Sequence, residues 1–439
     1  MPRRIANASR REFLKTTAAV AGAGYWLAGS AQAANEKSPS ERLRFACVGV
    51  GGKGASDTAD AGISGDIVAL CDVDENFLAK AAKAHPKAKK YNDFRKMFDE
   101  MGSSIDAVTV STPDHTHACI TAMALRMGKH CFTQKPLTHT LYETRVLSQL
   151  ARETKVATQM GNQGTALPGL RHAAAMLRKG VVGNVHDIHV WTDRPIWAQG
   201  GPRPKVAEVP KHLQWDLWLG PAQERPYGVG YHPFSWRGFW AFGTGALGDM
   251  ACHTMNMPYM ALDLRNPISV EADTTAHNGE TYPNRSIIRY QFAANDRHGP
   301  LTLTWYDGGN RPPVSLFGTK KSEEIAISGS LVIGDKGMLY SPADYAKKFE
   351  LLGGAMAVQL EMPKPLDHFQ EWVRAIKGGP PATSNFADYA GPLTETVLLG
   401  NLAVWSGRKI EWDAENLRVK NDSSLDGMIK TEYRAGYTL

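Results

Sequence analysis

The sequence predicts an α/β protein with a doubly wound parallel sheet in its first part and a largely antiparallel sheet in its second part. Three observations support this fold class. Apolar runs of strand length alternate with helical patterns between residues 43 and 160, a glycine-rich turn follows the first run, and apolar residues alternate with a period of two beyond about residue 164. A length of 439 residues fits two domains, which we place at residues 42–164 and 165–439.

The composition is that of a globular protein. Hydrophobic residues make up 43% and charged residues 21% of the chain, which excludes an intrinsically disordered or fibrous protein. The net charge is +6, but basic residues concentrated in the first 33 positions account for most of it, so no basic stripe for nucleic acid remains. Five cysteines are present, and Cys47, Cys71 and Cys131 lie in apolar runs, so we interpret them as buried small hydrophobic residues.

Residues 1–33 have the pattern of a targeting segment. Ser9-Arg10-Arg11-Glu12-Phe13-Leu14-Lys15 precedes a short apolar run over 16–29 and the small-residue triplet Ala31-Gln32-Ala33. The apolar run is too short to span a bilayer of ~30 Å. The segment resembles a twin-arginine signal peptide, which predicts a periplasmic or otherwise exported protein. The alternative is an ordinary amphipathic N-terminal helix.

The first part alternates strands with helices. This pattern implies a parallel sheet with helices on both faces, whose ligands bind at the carboxyl ends of the strands. We predict strands at Leu43–Val48, 67–71, 105–110, His130–Thr133 and 156–160, and helices at Glu75–Ala84, 93–101, 117–127 and 138–155.

A dinucleotide-binding pattern follows the first strand. Its Gly-x-Gly-x-x-Gly turn consists of Gly49, Gly51, Gly52 and Gly54 with Val50 and Lys53, and Asp72 ends the second strand. Glycines allow the backbone to approach a pyrophosphate, and the carboxylate accepts hydrogen bonds from ribose hydroxyls. Asp72 and Asp74 with no arginine directly after them favour NAD, because they would repel a 2′-phosphate. Lys53 keeps NADP possible.

Two polar groups follow later strands of the predicted sheet. The first is Thr112-Pro113-Asp114-His115-Thr116-His117, and the second is Gln134-Lys135-Pro136. Both are expected at the edge where the cofactor lies, which makes Thr112, Pro113, His117 and Lys135 candidates for cofactor contact. A loop lysine is usually only solvated, but the position of Lys135 favours a functional role.

In the second part, we predict a helix at 170–178 and strands at Val185–Trp191, Ser286–Phe292, 301–305 and 328–333, with a proline-rich surface loop at 195–210. Seven aromatic residues lie between Tyr227 and Phe242, with glycines among them. They form either a piece of core or a platform for a sugar ring.

A carboxylate and a histidine follow the aromatic stretch. Within a helix, Asp249 and His253 stand at positions i and i+4 and face the same side. A carboxylate beside an imidazole fixes the tautomer of the histidine and makes it a competent base. The alternatives are a capping aspartate with a core histidine, or a metal site. No third ligand shares a recognisable spacing with this pair, so we predict no metal.

Together, these groups resemble the Gfo/Idh/MocA oxidoreductase family in their order and spacing. The resemblance implies an N-terminal Rossmann domain, a C-terminal α/β domain with an open, mostly antiparallel sheet, a tightly held NAD or NADP, and a carbohydrate or polyol substrate. It assigns the family's catalytic lysine, aspartate and histidine to Lys135, Asp249 and His253. The family's usual Glu-Lys-Pro is Gln-Lys-Pro here, so Gln134 lacks a charge that would favour an ammonium at Lys135.

The resemblance together with the N-terminal segment leads us to expect an exported oxidoreductase that acts on a secondary hydroxyl. Because free NAD is scarce outside the cytoplasm, we expect the cofactor to be retained and recycled. Two alternatives are an NAD-dependent glycosidase that uses transient oxidation and elimination, and a non-catalytic sugar or nucleotide sensor. We expect a homo-oligomer, a dimer or tetramer. Further candidates for substrate contact are Asn162, Gln163, Arg194, His232, Trp236 and Arg237.

Overall fold

A computed structural model describes residues 42–364 and 366–439. The first sheet has six strands: β1 (Leu43–Val48), β2 (Gly65–Cys71), β3 (Lys89–Tyr91), β4 (Ala107–Val110), β5 (His130–Thr133) and β6 (Thr158–Met160). They pair in parallel in the order β3-β2-β1-β4-β5-β6. The strand order reverses between β1 and β4, so the predicted doubly wound sheet is confirmed.

Five helices connect the strands of the first sheet: α1 (Lys53–Ser64), α2 (Glu75–Ala84), α3 (Phe94–Met101), α4 (Asp114–Arg126) and α5 (Leu141–Thr154). Two begin three residues away from their predicted start. Helix α4 begins at Asp114, directly after the N-cap Pro113, whose fixed φ suits a helix start. Helix α5 begins three residues late because Thr140 and Glu143 form a capping box.

The second sheet has nine strands: β7 (Val185–Trp191), β8 (Ser269–Thr274), β9 (Ser286–Phe292), β10 (Leu301–Tyr306), β11 (Gly329–Gly334), β12 (Gly337–Pro342), β13 (Glu350–Leu352), β14 (Ile410–Asp413) and β15 (Arg418–Val419). Their order is β13-β12-β11-β7-β10-β9-β8-β14-β15. Only the β7–β10 pair among these described strands is parallel, so the sheet is open and mostly antiparallel, as predicted.

Seven further helices belong to the second part: α6 (Pro168–Arg178), α7 (Trp215–Leu219), α8 (Gly245–Thr254), α9 (Asn256–Leu262), α10 (His368–Ile376), α11 (Gly391–Ser406) and α12 (Asp426–Ile429). Shorter turns complete the second part. The most relevant to the site are the 3₁₀ turns Gln163–Ala166 and Ser235–Gly238. Residues 195–210 contain no regular helix or strand.

Helix α10 crosses from the second part to the first sheet. Phe369 and Trp372 pack against Phe45 and Phe132, with ring centroids 5.1–6.3 Å apart. The Trp372 indole N–H donates to the Ala157 carbonyl (3.0 Å). The core of the first sheet is therefore completed by residues from well beyond position 164, and residues Leu43–Leu439 form a single compact unit.

The predicted signal segment at residues 1–33 lies outside the described residues. Within the part of the chain that the structure describes, no helix is both long and apolar enough to cross a membrane. All five cysteines are buried and free.

Candidate active site

A cavity of about 630 Å³ lies at the carboxyl ends of β1, β2, β4 and β5. Small-molecule sites commonly have volumes of ~300–1,000 Å³. The turns after these strands form one wall, and helix α8 with the segment before it forms the other. The cavity therefore lies where doubly wound sheets bind ligands, beside the reversal of strand order.

The glycine turn is shaped to bring backbone close to a ligand. Gly49 has φ +76°, and a Cβ there would lie 2.7 Å from the carbonyl carbon and oxygen of Ser111. A Cβ on Gly54 would lie 1.9 Å from the Gly49 oxygen, so Gly54 serves the packing of helix against strand and does not line the cavity. Gly49, Gly51 and Gly52 do line it. Helix α1 has no side-chain cap, and its Gly54 and Ala55 N–H groups donate to the Gly51 and Gly52 oxygens. The N-terminus of this helix borders the cavity at Lys53, and helix N-termini favour phosphate.

Asp72 borders the same cavity at the end of β2. Its carboxylate accepts the backbone N–H groups of Val50 (2.8 Å) and Asp74 (2.9 Å), and burial raises its pKa. Each carboxylate oxygen keeps a second lone pair for a ribose hydroxyl. Together with the glycine turn, this arrangement fits the adenosine and pyrophosphate of a dinucleotide.

A buried carboxylate that the sequence analysis missed lies beneath the glycine turn. Asp57 is 1% exposed and accepts hydrogen bonds from Ser111 Oγ (2.7 Å) and Gln134 Nε2 (2.8 Å). It also pairs with the ammonium of Lys53. Lys53 is thus already paired, which argues against its use for the 2′-phosphate of NADP. Gln134, which stands where the Glu-Lys-Pro pattern has a glutamate, is neutral and donates a hydrogen bond to the Asp57 carboxylate.

Lys135 and Asp249 meet across the cavity. Lys135 Nζ donates to Asp249 Oδ1 (2.6 Å) and to the Asp249 backbone oxygen (2.9 Å). Arg237 Nε donates to the same Oδ1 (3.3 Å). Burial alone would raise the pKa of Asp249, but the two cations outweigh it and lower that pKa to about 2. The lysine after β5 and the aspartate of α8 therefore form one charged group.

His253 lines the cavity one helical turn beyond Asp249. No hydrogen bond joins the two side chains; Asp249 Oδ1 accepts from Lys135 and Arg237 instead. His253 Nδ1 is buried without a partner among the described residues. Its ring packs edge-on against Tyr345, with centroids 4.8 Å apart. Burial and the nearby Lys135 lower the pKa of His253 to about 3, so the imidazole is neutral near pH 7.

Thr112 and Pro113 line the cavity, but His117 does not. The His117 ring lies between the backbone oxygens of Pro136 and Thr112, each 2.8 Å from a ring nitrogen. It ties the turn that carries Lys135 to the turn after β4. His117 is therefore a positioning residue here and not a cofactor contact.

The predicted substrate contacts separate into three groups. Gln163, Arg194, Trp236 and Arg237 line the cavity with Lys135 and His253. Asn162 is fully buried outside it and donates weakly to the Cys252 carbonyl (3.4 Å). His232 lines the cavity, but its Nε2 lies 2.8 Å from Asp74 Oδ2, at the end where Asp72 lies. The proposed role of His232 in sugar contact is therefore not supported by its position.

Most of the aromatic stretch is core rather than platform. Tyr231 and Phe242 are fully buried, and Tyr227 and Phe239 are buried with them around Trp218. Only Phe234 and Trp236 of these seven rings line the cavity. The interleaved glycines indicated an irregular loop correctly, but the sequence could not tell which rings point inward.

Two further cavity residues were not among the predicted site residues. Tyr345 follows β12 and contacts His253, and no motif surrounds it. Asp114 begins α4, accepts the Thr244 hydroxyl (2.7 Å), and has its pKa raised to about 6 by burial. Its place in the Thr112–His117 motif was the available signal. No cluster of three or more potential metal ligands occurs among residues 42–364 and 366–439.

Two family models match this chain. The model described as "Oxidoreductase family, NAD-binding Rossmann fold" of the Gfo/Idh/MocA group matches residues 17–162. The model described as "Oxidoreductase family, C-terminal alpha/beta domain" of the same group matches residues 182–439. The second match alone covers more than half of the chain.

Individual relatives are distant. The chain is 32% identical over 111 residues to a scyllo-inositol 2-dehydrogenase (NAD(+)) of Bacillus subtilis, which covers 25% of this chain and 30% of the relative. It is 26% identical over 157 residues to glycosyl hydrolase family 109 protein 1 of Akkermansia muciniphila, which covers 33% and 32%. The chain thus spans about a third of the length of both proteins.

The fold is also similar to that of a solved structure. The WlbA dehydrogenase of Bordetella pertussis, solved in complex with NADH and UDP-GlcNAcA, superposes with a TM-score of 0.61 at 16% identity. The match covers 85% of this chain and all of the other. At this identity, the similarity concerns the fold of both sheets and their arrangement.

Proposed function

Because this chain belongs to the Gfo/Idh/MocA oxidoreductase family and carries its NAD-binding domain, we propose that it oxidises a secondary hydroxyl of a sugar, glycoside or polyol. One observation carries the proposal. Lys135 from the first part and Asp249 and His253 from the second part border the same cavity as the glycine turn and Asp72. A reacting hydroxyl and a nicotinamide can therefore share this space.

The residues divide the chemistry among them. When bound, the nicotinamide supplies the hydride acceptor. The Lys135 ammonium is held by Asp249 and can direct a remaining N–H to the substrate oxygen, where it stabilises developing alkoxide charge. His253 is neutral and can accept the hydroxyl proton. The buried cavity restricts water around both groups.

The likeness to a glycosyl hydrolase family protein keeps a second reaction class open. In that class, transient oxidation would acidify the neighbouring C–H and allow the aglycone to be eliminated. The Lys135–Asp249 pair can stabilise the alkoxide of the oxidation step, which both classes share, so the products of the reaction distinguish them. A non-catalytic sensor would not need this pair or a neutral histidine beside it.

A panel of sugars, polyols and 3-keto sugars tests the proposal. The protein is loaded with NAD or NADH, and the fluorescence of the reduced nicotinamide is followed after each addition. A reversible change with a hydroxyl or keto sugar is the expected result. Release of free sugar from an aryl glycoside without net NADH would favour elimination. No spectral change and no sugar release with a loaded cofactor would contradict an enzyme of either class.

Export and self-association extend the proposal. The Arg10-Arg11 pattern supports secretion by the twin-arginine route, with cofactor acquired before transport. Residues 1–41 fused to a folded reporter should direct it out of the cytoplasm, and Arg10→Lys with Arg11→Lys should stop this. The open second sheet supports a homo-oligomer, which light scattering would measure.

A further inference from the structure

The end of the cavity beside Asp72 is covered by the second part of the chain. We call residues 212–236 the cover segment. Its Leu217, Trp218, Gly220, His232, Pro233 and Phe234 line the cavity. On the opposite side of the same end are residues of the first sheet and its helices, namely Asp72, Val73, Phe77, Asn92 and Phe94. A dinucleotide bound with its ribose at Asp72 would lie between these two walls.

Backbone hydrogen bonds attach the start of the cover segment to the turn after β2. The Gln214 N–H donates to the Val73 oxygen, and the Glu75 N–H donates to the His212 oxygen, both at 2.9 Å. Asp74 and Leu213 form an isolated antiparallel bridge between these bonds. The attachment point is thus directly next to Asp72, at the ribose end of the site.

A side-chain contact closes the other end of the cover segment. His232 Nε2 donates to Asp74 Oδ2 (2.8 Å), and both side chains are largely buried. Asp74 is itself fixed, because its Oδ1 accepts the Asn76 N–H as the N-cap of α2. The His232 ring also packs on Phe77, with centroids 5.8 Å apart. Gly230 lies just before this contact, has φ +109°, and has open space around it.

The middle of the cover segment is anchored separately. His115 of α4 has one ring nitrogen 3.1 Å from the Trp218 oxygen and the other 3.2 Å from the Phe242 oxygen. Trp218 and Tyr231 belong to the small aromatic core described above. Trp218 and Tyr231, on either side of Gly230, are therefore held in that core, and the His232–Asp74 contact holds the end of the cover segment beyond Gly230 on the turn after β2.

We propose that His232 is a cofactor-positioning residue: by holding the cover segment on Asp74, it encloses the adenosine end of the bound dinucleotide and slows its release. This inference rests on NAD binding but on no particular sugar substrate. It also provides a physical basis for a cofactor that stays bound through successive turnovers.

The release rate of NADH tests this role. Protein loaded with NADH is mixed with excess NAD, and the loss of energy transfer from tryptophan to NADH is followed. His232→Ala should speed release by about tenfold or more, since a buried charge-assisted hydrogen bond is lost. His232→Gln keeps an N–H donor and should restore much of the retention. The association rate should change less than the release rate.

His186→Ala is the matched control, because His186 is an exposed histidine on β7. Its release rate should equal that of the unmodified protein. Near-ultraviolet circular dichroism verifies that each variant is folded. If His232→Ala unfolds, Asp74→Ser gives the same test, because a serine hydroxyl still caps α2 while the carboxylate oxygen that His232 binds is removed.

Equal release rates in folded His232→Ala and unmodified protein would overturn the inference. Faster release in His232→Ala with no rescue by Gln would also contradict the role of the hydrogen bond. If the unmodified protein binds no dinucleotide, NAD binding itself fails, which is a different outcome from rapid release. A change in sugar turnover with unaltered NADH release would place His232 in another role.

Discussion

Alanine substitution at Gly49 and Gly52 separates steric fit from backbone strain in the glycine turn. Both glycines have positive φ, +76° and +49°, and Gly52 combines this with a ψ of −121°, outside the left-handed helical region; such backbone costs an alanine about 1–3 kcal/mol. At Gly49 the new Cβ would also lie 2.7 Å from the Ser111 carbonyl group, which cannot rotate away. Overpacking of this kind costs about 1–3 kcal/mol. At Gly52 no atom lies within 4 Å of the new Cβ.

We therefore expect Gly49→Ala to lower the free energy of unfolding by about 2–6 kcal/mol and Gly52→Ala by only about 1–3 kcal/mol. Urea unfolding of the cofactor-free proteins measures both values. Equal losses of stability in the two variants would refute the steric reasoning.

Three further outcomes are expected. Asp249→Asn should lower the free energy of unfolding by about 2 kcal/mol at pH 7, because the pKa of Asp249 is lowered to about 2 in the folded protein. The stabilisation by ionised Asp249 is lost as the pH falls from 4 towards 2. The difference in unfolding free energy between the variant and the unmodified protein, measured in urea, should therefore narrow in that range. Asp114→Asn should instead stabilise the protein by up to about 3 kcal/mol at pH 8, because the pKa of Asp114 is raised to about 6 and its ionisation opposes folding. A gain in unfolding free energy that does not shrink towards pH 4 would contradict this explanation. His253→Ala should leave NAD affinity unchanged and lower turnover of a responsive sugar by ~10²–10⁴; unchanged turnover would remove His253 from the mechanism.

The first sheet was predictable because its signals are local. The predicted strands are short apolar runs, and helices α2, α3 and α5 each begin after a side chain that caps them. Helix α11 gave no such signal, because nearly every residue from Leu393 to Val404 is buried and no polar face marks the helical period. Strand β3 is only three residues long and mostly exposed, so it lacks an apolar pattern.

The site was predictable where a motif fixes the position of a residue. Lys135 follows a strand directly, and Asp249 and His253 share a helix face, so their approach to one cavity follows from the topology. Their hydrogen bonds did not follow, because Asp249 pairs with Lys135, which is far away in the sequence, and with Arg237, which lies in a 3₁₀ turn of an irregular stretch. The contact of His232 with Asp74 could not be predicted, because it depends on the path of an irregular loop, and residue spacing does not determine that path.

The path of helix α10 has a consequence for how this chain is made. Phe45 and Phe132 remain uncovered until Phe369 and Trp372 have left the ribosome. The hydrophobic core of the nucleotide-binding half is therefore incomplete until residues 369–372 have been synthesised. A fragment that ends near position 164 would expose this apolar surface and should aggregate unless a chaperone binds it. Anyone exchanging halves between such proteins should transplant residues 366–376 with the amino-terminal piece.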